Sequence, residues 1–481
     1  MILVNRAYSK IYYVLLALSL LGCIYFLFFE GVGDALIYVC MAIYFNALGY
    51  FVFLKINSIF IKFKFLFFYI GYLISMPIVF INKEQFTRNG WSGIGDYNFE
   101  LTKTFEALLL VSLYIFIFVL VSFIVDRVLI KKYKIQEAQL SFNPLKALRK
   151  YRYIFVVLLI FQLYLSYFMM QYKIGIVGLI PEELPFRLVG ALYYYRYIVI
   201  PIIAGLLLFS NFGRKNNFFI FIIILEATLS GVFSASKSVA IFHMIPVIAY
   251  LLTVNRNKLS IAMLFLTFAI TSIASLVRNL LFYLDDLHSV TFTTLIDYFV
   301  SYEGFNFEYI FKMISVIITR IGGYQEFFAT YFNDLKHVDI NLFFEGVLGF
   351  NFFSNHNFNI MRDIYGFEAP EGYSFGIAID PISYLYLSSS NILVVILLIT
   401  IWVVLLIGTE KILNIIFIKY IKNSLYIIIL NIYILLAMVN PNIKVIFFNI
   451  PIYLFLLFLM IKCLPPYKRN NCFFPCNPPK N

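Results

Sequence analysis

Residues 277–390 hold the side chains best suited to chemistry, because this segment carries thirteen of the chain's twenty-five carboxylates. His356 is the first candidate for a general base, since residues 354–357 (SNHN) can orient an imidazole and an unperturbed imidazole pKa of about 6.5 suits a base at neutral pH. Asp380 and Glu326 are the carboxylate alternatives. A histidine that only forms hydrogen bonds within a surface loop is the competing interpretation.

Cations next to predicted helix ends form the second set of candidates. Lys237 falls in a serine-rich turn at residues 234–238, Arg278 caps one apolar run and Arg196 opens another. Arginine binds phosphate oxygens through two parallel hydrogen bonds and stays charged at any physiological pH, so the set predicts a phosphate or pyrophosphate site at a membrane surface. The competing interpretation is interfacial cations that reach toward water. The predicted pyrophosphate ligands are Lys237, Arg278, Arg320, Arg187 and Arg196, with Arg88 and Arg362 in a second tier.

Glu226 is the one carboxylate predicted to lie in the middle of an apolar run, residues 218–233. A carboxylate within a membrane is costly, and such residues are functional or form a hydrogen bond to a neighbouring helix. Lys237 follows eleven residues later, which on a continuous helix would place the two groups about 16 Å apart on nearly the same face. Glu226 is therefore a second-tier site residue.

The composition shows what must position these residues. The 481 residues are 62% hydrophobic, 20% aromatic and 13% charged, with mean hydropathy +0.89, whereas soluble domains are about 25% charged. The apolar runs are continuous and do not alternate, which favours helices over a barrel, because each spanning helix satisfies its own backbone. The sequence predicts an all-α polytopic membrane protein with both termini in the cytoplasm.

Twelve spans are predicted, nine of them within residues 1–276 and three within residues 391–461. The sixth and eighth are short and are expected to borrow flanking residues, tilt or break. Between the two groups lies one large periplasmic loop, residues 277–390, with a short helix expected at 305–319. Smaller periplasmic loops occupy 82–104 and 172–196, and a cytoplasmic tail occupies 462–481. The predicted spans are 11–29, 36–54, 65–81, 105–125, 153–171, 197–210, 218–233, 239–253, 259–276, 391–408, 424–440 and 445–461.

Charge fixes the predicted orientation, because Lys and Arg are retained on the cytoplasmic side. With the N-terminus inside, the cytoplasmic segments hold twenty-four Lys and Arg against three carboxylates, Asp126, Glu137 and Glu410. The net charge of +12 is then a topology signal that anionic membrane lipids explain, with no support for nucleic-acid binding. No glycine-rich phosphate loop, Asp-x-Asp pair or four-ligand metal set occurs, so no cofactor or metal is expected.

The chain resembles the bacterial O-antigen polymerases, the Wzy-type oligosaccharide repeat-unit polymerases, which are GT-C-like membrane glycosyltransferases. Twelve spans with a very large periplasmic loop in the C-terminal half are similar to the layout of that family. Four segments are locally similar to its motifs: residues 230–240 (SGVFSASKSVA), 320–323 (RIGG), 371–376 (EGYSFG) and 384–386 (YLY).

The resemblance implies metal-independent, inverting glycosyl transfer at the periplasmic face of the bacterial inner membrane. A glycan on undecaprenyl pyrophosphate would pass to a hydroxyl of another lipid-linked repeat unit, extending an O-antigen or capsule-type polysaccharide. Lys237, Arg278 and Arg320 would stabilise the leaving pyrophosphate, and His356 or a loop carboxylate would deprotonate the acceptor. A chain-length regulator and a flippase are the implied protein partners.

Three alternatives stay open. An O-antigen ligase shares the architecture, and residues 355–357 (NHN) resemble its His-Asn segment. A lipid-linked oligosaccharide flippase would need charged residues through its spans and only short loops, which the 114-residue loop argues against. A polyprenyl-phosphate-sugar transferase of the GT-C class would place an acidic pair in its first outer loop, where Glu30 and Asp34 stand four residues apart.

We expect Arg320→Ala to abolish long polysaccharide chains without lowering the amount of inserted protein. Loss of one group that stabilises a developing negative charge typically lowers a rate by about 10² to 10³. The chain-length distribution of surface polysaccharide in a complemented deletion strain measures the effect. Normal chains made by a well-expressed variant would exclude Arg320 from the site.

Overall fold

A computed structural model of the protein describes much of the membrane-embedded chain. The described residues are 2–81, 101–131, 152–172, 192, 195–210, 216–254, 256–283, 327–328, 330–331, 340–344, 347 and 381–420.

Within these residues every regular element is a helix. Two π-helical segments interrupt the α-helical pattern: Tyr69–Ile74 joins α3 to α4, and Tyr195–Val199 leads into α7. The α-helices are α1 (Ile2–Phe29), α2 (Val32–Lys55), α3 (Ile59–Phe68), α4 (Ser75–Ile81), α5 (Leu101–Lys131), α6 (Arg152–Gln171), α7 (Ile200–Ser210), α8 (Asn217–Phe233), α9 (Lys237–Thr253), α10 (Asn257–Tyr283), α11 (Asn341–Phe343), α12 (Pro381–Ser388) and α13 (Ile392–Tyr420).

Helix length and hydropathy confirm the predicted class of helical membrane protein. In the described part of the chain, six helices are long and apolar enough to cross a membrane, and four shorter apolar helices accompany them. The first nine predicted spans lie inside helical segments. The tenth predicted span begins one residue before its helix, α13, which continues beyond the predicted end to Tyr420. The predicted spans 424–440 and 445–461 lie outside the described residues, so the count of twelve and the orientation stay predictions.

The two segments predicted to be short each contain an irregularity. The sixth borrows the π-helical turn Tyr195–Val199 before it becomes α-helical, and the eighth, α9, contains Pro246. Proline cannot donate a backbone hydrogen bond and kinks a helix, while π turns often mark functional positions. Both irregularities fall in neighbouring helices, because α7 and α9 pack against each other.

The helices pack in two groups. Helices α1 to α5 pack together with α13, and helices α6 to α10 pack with one another. Large rings fill the first set: Phe118 lies 5.0 Å from Trp402 and 5.4 Å from Phe68, measured between ring centroids. By contrast, many large apolar side chains on α1 and α6 are exposed, such as Phe28 and Tyr153. These outward faces are apolar because lipid is the solvent they meet.

Buried charges tie together one end of α2, α3, α5 and α13. Asp126 accepts hydrogen bonds from the backbone and side-chain nitrogens of Asn57 at 2.9 and 3.2 Å. Glu410 accepts from the Ser58 hydroxyl and from the Phe60 backbone N–H. The sequence places Asp126 and Glu410 just beyond predicted spans; both are buried side chains of helices, because α5 and α13 continue past the predicted span ends.

Helices occupy both ends of the segment predicted to be the large loop, with α12 at its C-terminal end. All eight of its residues are buried, and Tyr386 packs its ring 5.6 Å from those of Phe327 and Tyr331. At the other end of the loop, α10 runs on to Tyr283. The expected helix at 305–319 lies outside the described residues. The described pieces of the loop thus pack into the helical core.

Gly231 permits the close approach of α8 and α9. A Cβ added there would lie 2.9 Å from the Cβ of Ala240, whereas a Cβ added at Gly408 would meet nothing within 4 Å. We expect Gly231→Ala to destabilise the protein by about 1–3 kcal/mol, because the Ala240 methyl cannot rotate away. Thermal unfolding of the purified protein measures the loss.

Gly408→Ala is the matched control, since it places the same methyl in a helix with open space around it. Replacing glycine by alanine inside a helix is favourable by about 1 kcal/mol, so we expect this variant to unfold at the same or a higher temperature. Equal destabilisation of both variants would contradict the packing argument.

Candidate functional site

The turn between α8 and α9 has the hydrogen bonds of a Schellman motif. The Ser236 N–H donates to the Gly231 carbonyl at 3.1 Å, and the Ala235 N–H donates to the Val232 carbonyl at 2.9 Å. Ala235 adopts the left-handed conformation that this motif needs, with φ 47°. The turn occupies residues 234–236, and Lys237 is the first residue of α9. Because the chain reverses here, Glu226 and Lys237 do not share one continuous helix.

Glu226 lies buried on α8, as the sequence predicts for an intramembrane carboxylate, and its partner is His243 of α9. The His243 Nδ1 atom is 2.9 and 2.8 Å from the two carboxylate oxygens. Both side chains are almost completely buried, with relative exposures of 1% and 0%. The turn brings them together because it folds α9 back along α8.

His243 makes a second contact that fixes its protonation. Its Nε2 atom lies 2.9 Å from the backbone carbonyl oxygen of Arg196. A carbonyl oxygen can only accept, so Nε2 carries a hydrogen. The short contact between Nδ1 and the Glu226 carboxyl group requires one more proton, held on either group. The Glu226–His243 pair is therefore neutral overall in both arrangements.

A one-directional chain of donors reaches Glu226 from α6. Ser230 donates to Glu226 Oε1 at 2.7 Å. Since its hydrogen is directed at Glu226, its 2.9 Å contact with Ser166 must have Ser166 as the donor. Gln162 in turn donates to Ser166 at 3.0 Å. Hydrogen bonds aligned in this way polarise one another and strengthen the last bond to the carboxylate.

Arg196 stands at the other end of this network. The residue is completely buried. Its Nε, Nη1 and Nη2 atoms have no hydrogen-bond partner among the described residues. Glu226 acts on it electrostatically, but that carboxylate already shares a proton with His243. The cluster of Arg196, Glu226 and His243 therefore carries one net positive charge in an apolar interior.

Arg196 and the turn lie at the same end of the helices. Tyr197, the next residue, has its hydroxyl 3.0 Å from the Ser236 hydroxyl. Ser236 immediately precedes Lys237, so the structure brings the backbones of two predicted pyrophosphate ligands close together. This is the end that the charge pattern predicts to face the periplasm.

Arg278 lies toward the same end but inside a helix. The prediction that it caps its span is wrong, because α10 continues to Tyr283. Ile270 packs with Ala240 and Met244, which sets the register of α10 against α9. Arg278 lies about 12 Å beyond Ile270, and Lys237 about 4.5 Å beyond Ala240, at 1.5 Å per residue. The backbone positions of Arg278 and Lys237 thus lie past the packed cluster in the same direction.

The remaining predicted site residues lie outside the described residues, and their roles stay predictions. They are His356, Asp380, Glu326, Arg320, Arg187, Arg88 and Arg362. Within the described helices, no three His, Cys, Asp or Glu side chains come together so that they could hold a metal ion.

Sequence reasoning missed His243, which completes the buried pair. Its signal was present: a histidine inside a predicted span is rare in lipid and calls for a partner. A hairpin that folds back after residue 236 also places a residue soon after the turn beside one shortly before it. Gln162 and Ser166 carried no comparable signal.

Comparison with known proteins gives no match: no protein family model, curated protein or solved structure is similar to this chain. The function must therefore be argued from the chemistry of these residues.

We expect Ala235→Gly to stabilise the protein by about 1 kcal/mol, because glycine adopts the left-handed conformation without the clash that a Cβ causes. Thermal unfolding measures the shift. Ala227→Gly is the control, since Ala227 is a buried residue inside α8, where glycine costs about 0.5–1 kcal/mol. Two shifts of the same sign would contradict the assigned turn geometry.

Proposed function

We propose that this protein is a membrane glycosyltransferase that polymerises undecaprenyl-pyrophosphate-linked oligosaccharide repeat units at the periplasmic face by metal-independent inverting transfer. The observation that carries the proposal is the Arg196 guanidinium group, completely buried and without a hydrogen-bond partner among the described residues. A buried charge without a partner is strongly unfavourable. A bound anion would supply the missing negative charge and acceptors.

A pyrophosphate joined to a polyprenyl chain fits this position chemically. The guanidinium group can bind two phosphate oxygens in its plane, and the lipid tail can remain in the bilayer beside the helices. Lys237 begins a helix close to Arg196, and the Arg278 position of α10 lies toward the same end. Several cationic residues near one helix end suit a leaving group whose negative charge grows as the glycosidic bond breaks.

The acceptor hydroxyl needs a base as well. His243 is not suited to that task, because both of its ring nitrogens already contact oxygen atoms. The predicted bases, His356 with Asp380 and Glu326 as alternatives, belong to the large loop. The proposal therefore divides the work, with helix-borne cations holding the donor and the loop supplying the base.

Transport is the second candidate, because the described helices hold more buried charge than their sequence predicted. Besides Arg196, Glu226 and His243, a second group of helices buries Lys62, Asp126 and Glu410. Charged groups inside helices mark the path of a polar substrate in many transporters. A flippase for the same lipid-linked oligosaccharide would use Arg196 during movement and would form no glycosidic bond.

We expect Arg196→Ala to lower polymerisation by about 10² or more, because one of the groups that stabilise the leaving pyrophosphate is removed. Arg196→Lys should retain part of the activity, since it keeps the charge but loses the planar pair of donors. The measurement is glycan length after incubating purified enzyme with lipid-linked repeat units. Elongation in vitro supports a polymerase, and movement of the lipid between leaflets without elongation supports the flippase.

Arg256→Ala is the matched control. This arginine is exposed, donates to Asn217 at 3.3 Å and stands at the opposite end of α9 from Lys237. We expect wild-type chain lengths from it. If Arg196→Ala polymerised as well as Arg256→Ala, the buried guanidinium would have no part in the reaction.

A further inference from the structure

We infer that His243 and Glu226 are positioning residues that set the place of the Arg196 guanidinium group through the Arg196 backbone. This inference rests on the proposed function, because it explains how the arginine of the proposed anion site is held in place. His243 contributes through its Nε2 hydrogen bond to the Arg196 carbonyl. Glu226 contributes through His243, which it holds by its Nδ1 atom.

The need for such a device follows from the local backbone. Arg196 belongs to a π-helical turn, Tyr195–Val199, where the regular α-helical hydrogen bonding is replaced by a looser pattern. A carbonyl held by a buried side chain limits the freedom of that turn. Since the guanidinium nitrogens have no hydrogen-bond partner among the described residues, the restraint that this contact supplies acts on the backbone and not on the arginine side chain.

Because Glu226 and His243 share one proton, the pair is neutral, and its neutrality affects how strongly Glu226 attracts the nearby Arg196. An ionised Glu226 without His243 would compete with the ligand for Arg196. Pairing Glu226 with His243 at 2.8 Å and with the Ser230 hydroxyl at 2.7 Å engages the carboxylate elsewhere. The arginine donors, which no described residue engages, are then not drawn to Glu226 and can bind an anion.

Two amide substitutions separate the two contacts of His243. The side-chain nitrogen of glutamine reaches about as far as Nε2 of histidine, and that of asparagine about as far as Nδ1. His243→Gln therefore keeps a donor for the Arg196 carbonyl, while His243→Asn keeps a donor for Glu226 and loses the carbonyl contact. Because the carbonyl contact acts directly on the Arg196 backbone, positioning predicts that asparagine impairs function more than glutamine does.

The test measures binding of undecaprenyl pyrophosphate to the full-length protein in lipid nanodiscs. We expect His243→Asn to weaken binding about tenfold or more, the scale of losing a buried hydrogen-bond partner, and His243→Gln to weaken it by a smaller factor, because it loses only the Glu226 contact. In an Arg196→Gln background, His243→Asn should cause no further loss, because interacting residues are not additive. Equal losses in the two amide variants, or losses that multiply in the double variant, would overturn the inference.

Hydrogen exchange separates this inference from the proposed function. If wild-type protein binds no undecaprenyl pyrophosphate, the proposed function fails, and exchange of the backbone amides of residues 196–200 then decides the positioning role. Faster exchange in His243→Asn than in His243→Gln, with both variants equally stable to heat, would support it. Equal exchange in the two variants would overturn it.

Discussion

The carboxylate of Glu226 lies among apolar helices, where an ionised oxygen without a hydrogen-bond donor would be strongly destabilising. The neighbouring helices supply the donors that it requires. Ser230 reaches it from the same helix and His243 from the next, while Gln162 and Ser166 extend the chain of donors into α6. Breaking a buried ion pair by removing one partner costs about 3–5 kcal/mol. Three helices are thus held in register by polar contacts as well as by packing.

The two buried polar clusters differ in how deeply they bury their cation. Around Asp126 and Glu410, hydrogen bonds from Asn57, Ser58 and the backbone tie helices together, and the ammonium group of the neighbouring Lys411 has no hydrogen-bond partner among the described residues, although the residue as a whole is only half-buried. Beside Glu226, the Arg196 guanidinium group also has no partner among the described residues, but this residue is completely buried. The cation that is wholly removed from solvent has the greater need for an anion.

Much of the helical framework could be predicted from the sequence, because lipid demands long apolar runs and the chain supplies them without ambiguity. Glu226 was found for the same reason, as a charged residue where charge is costly. The pairing of Glu226 with His243 was not predicted, because it depends on how tightly the chain turns at Ala235, a non-glycine residue in a left-handed conformation. The burial of Asp126 and Glu410 was not predicted either, because hydropathy weighs charge but does not reveal the hydrogen bonds that let charge enter a helix core.

The contact between Ser58 and Glu410 joins residues separated by 352 positions along the chain. The hydroxyl that caps the first turn of α3, where it accepts from the Ile61 N–H at 3.3 Å, meets its carboxylate partner only after α13 has been made. At about 5–20 residues per second, the ribosome needs roughly 20–70 s to cover that distance. During synthesis the Ser58 hydroxyl therefore lacks its carboxylate partner until residue 410 has been added to the chain.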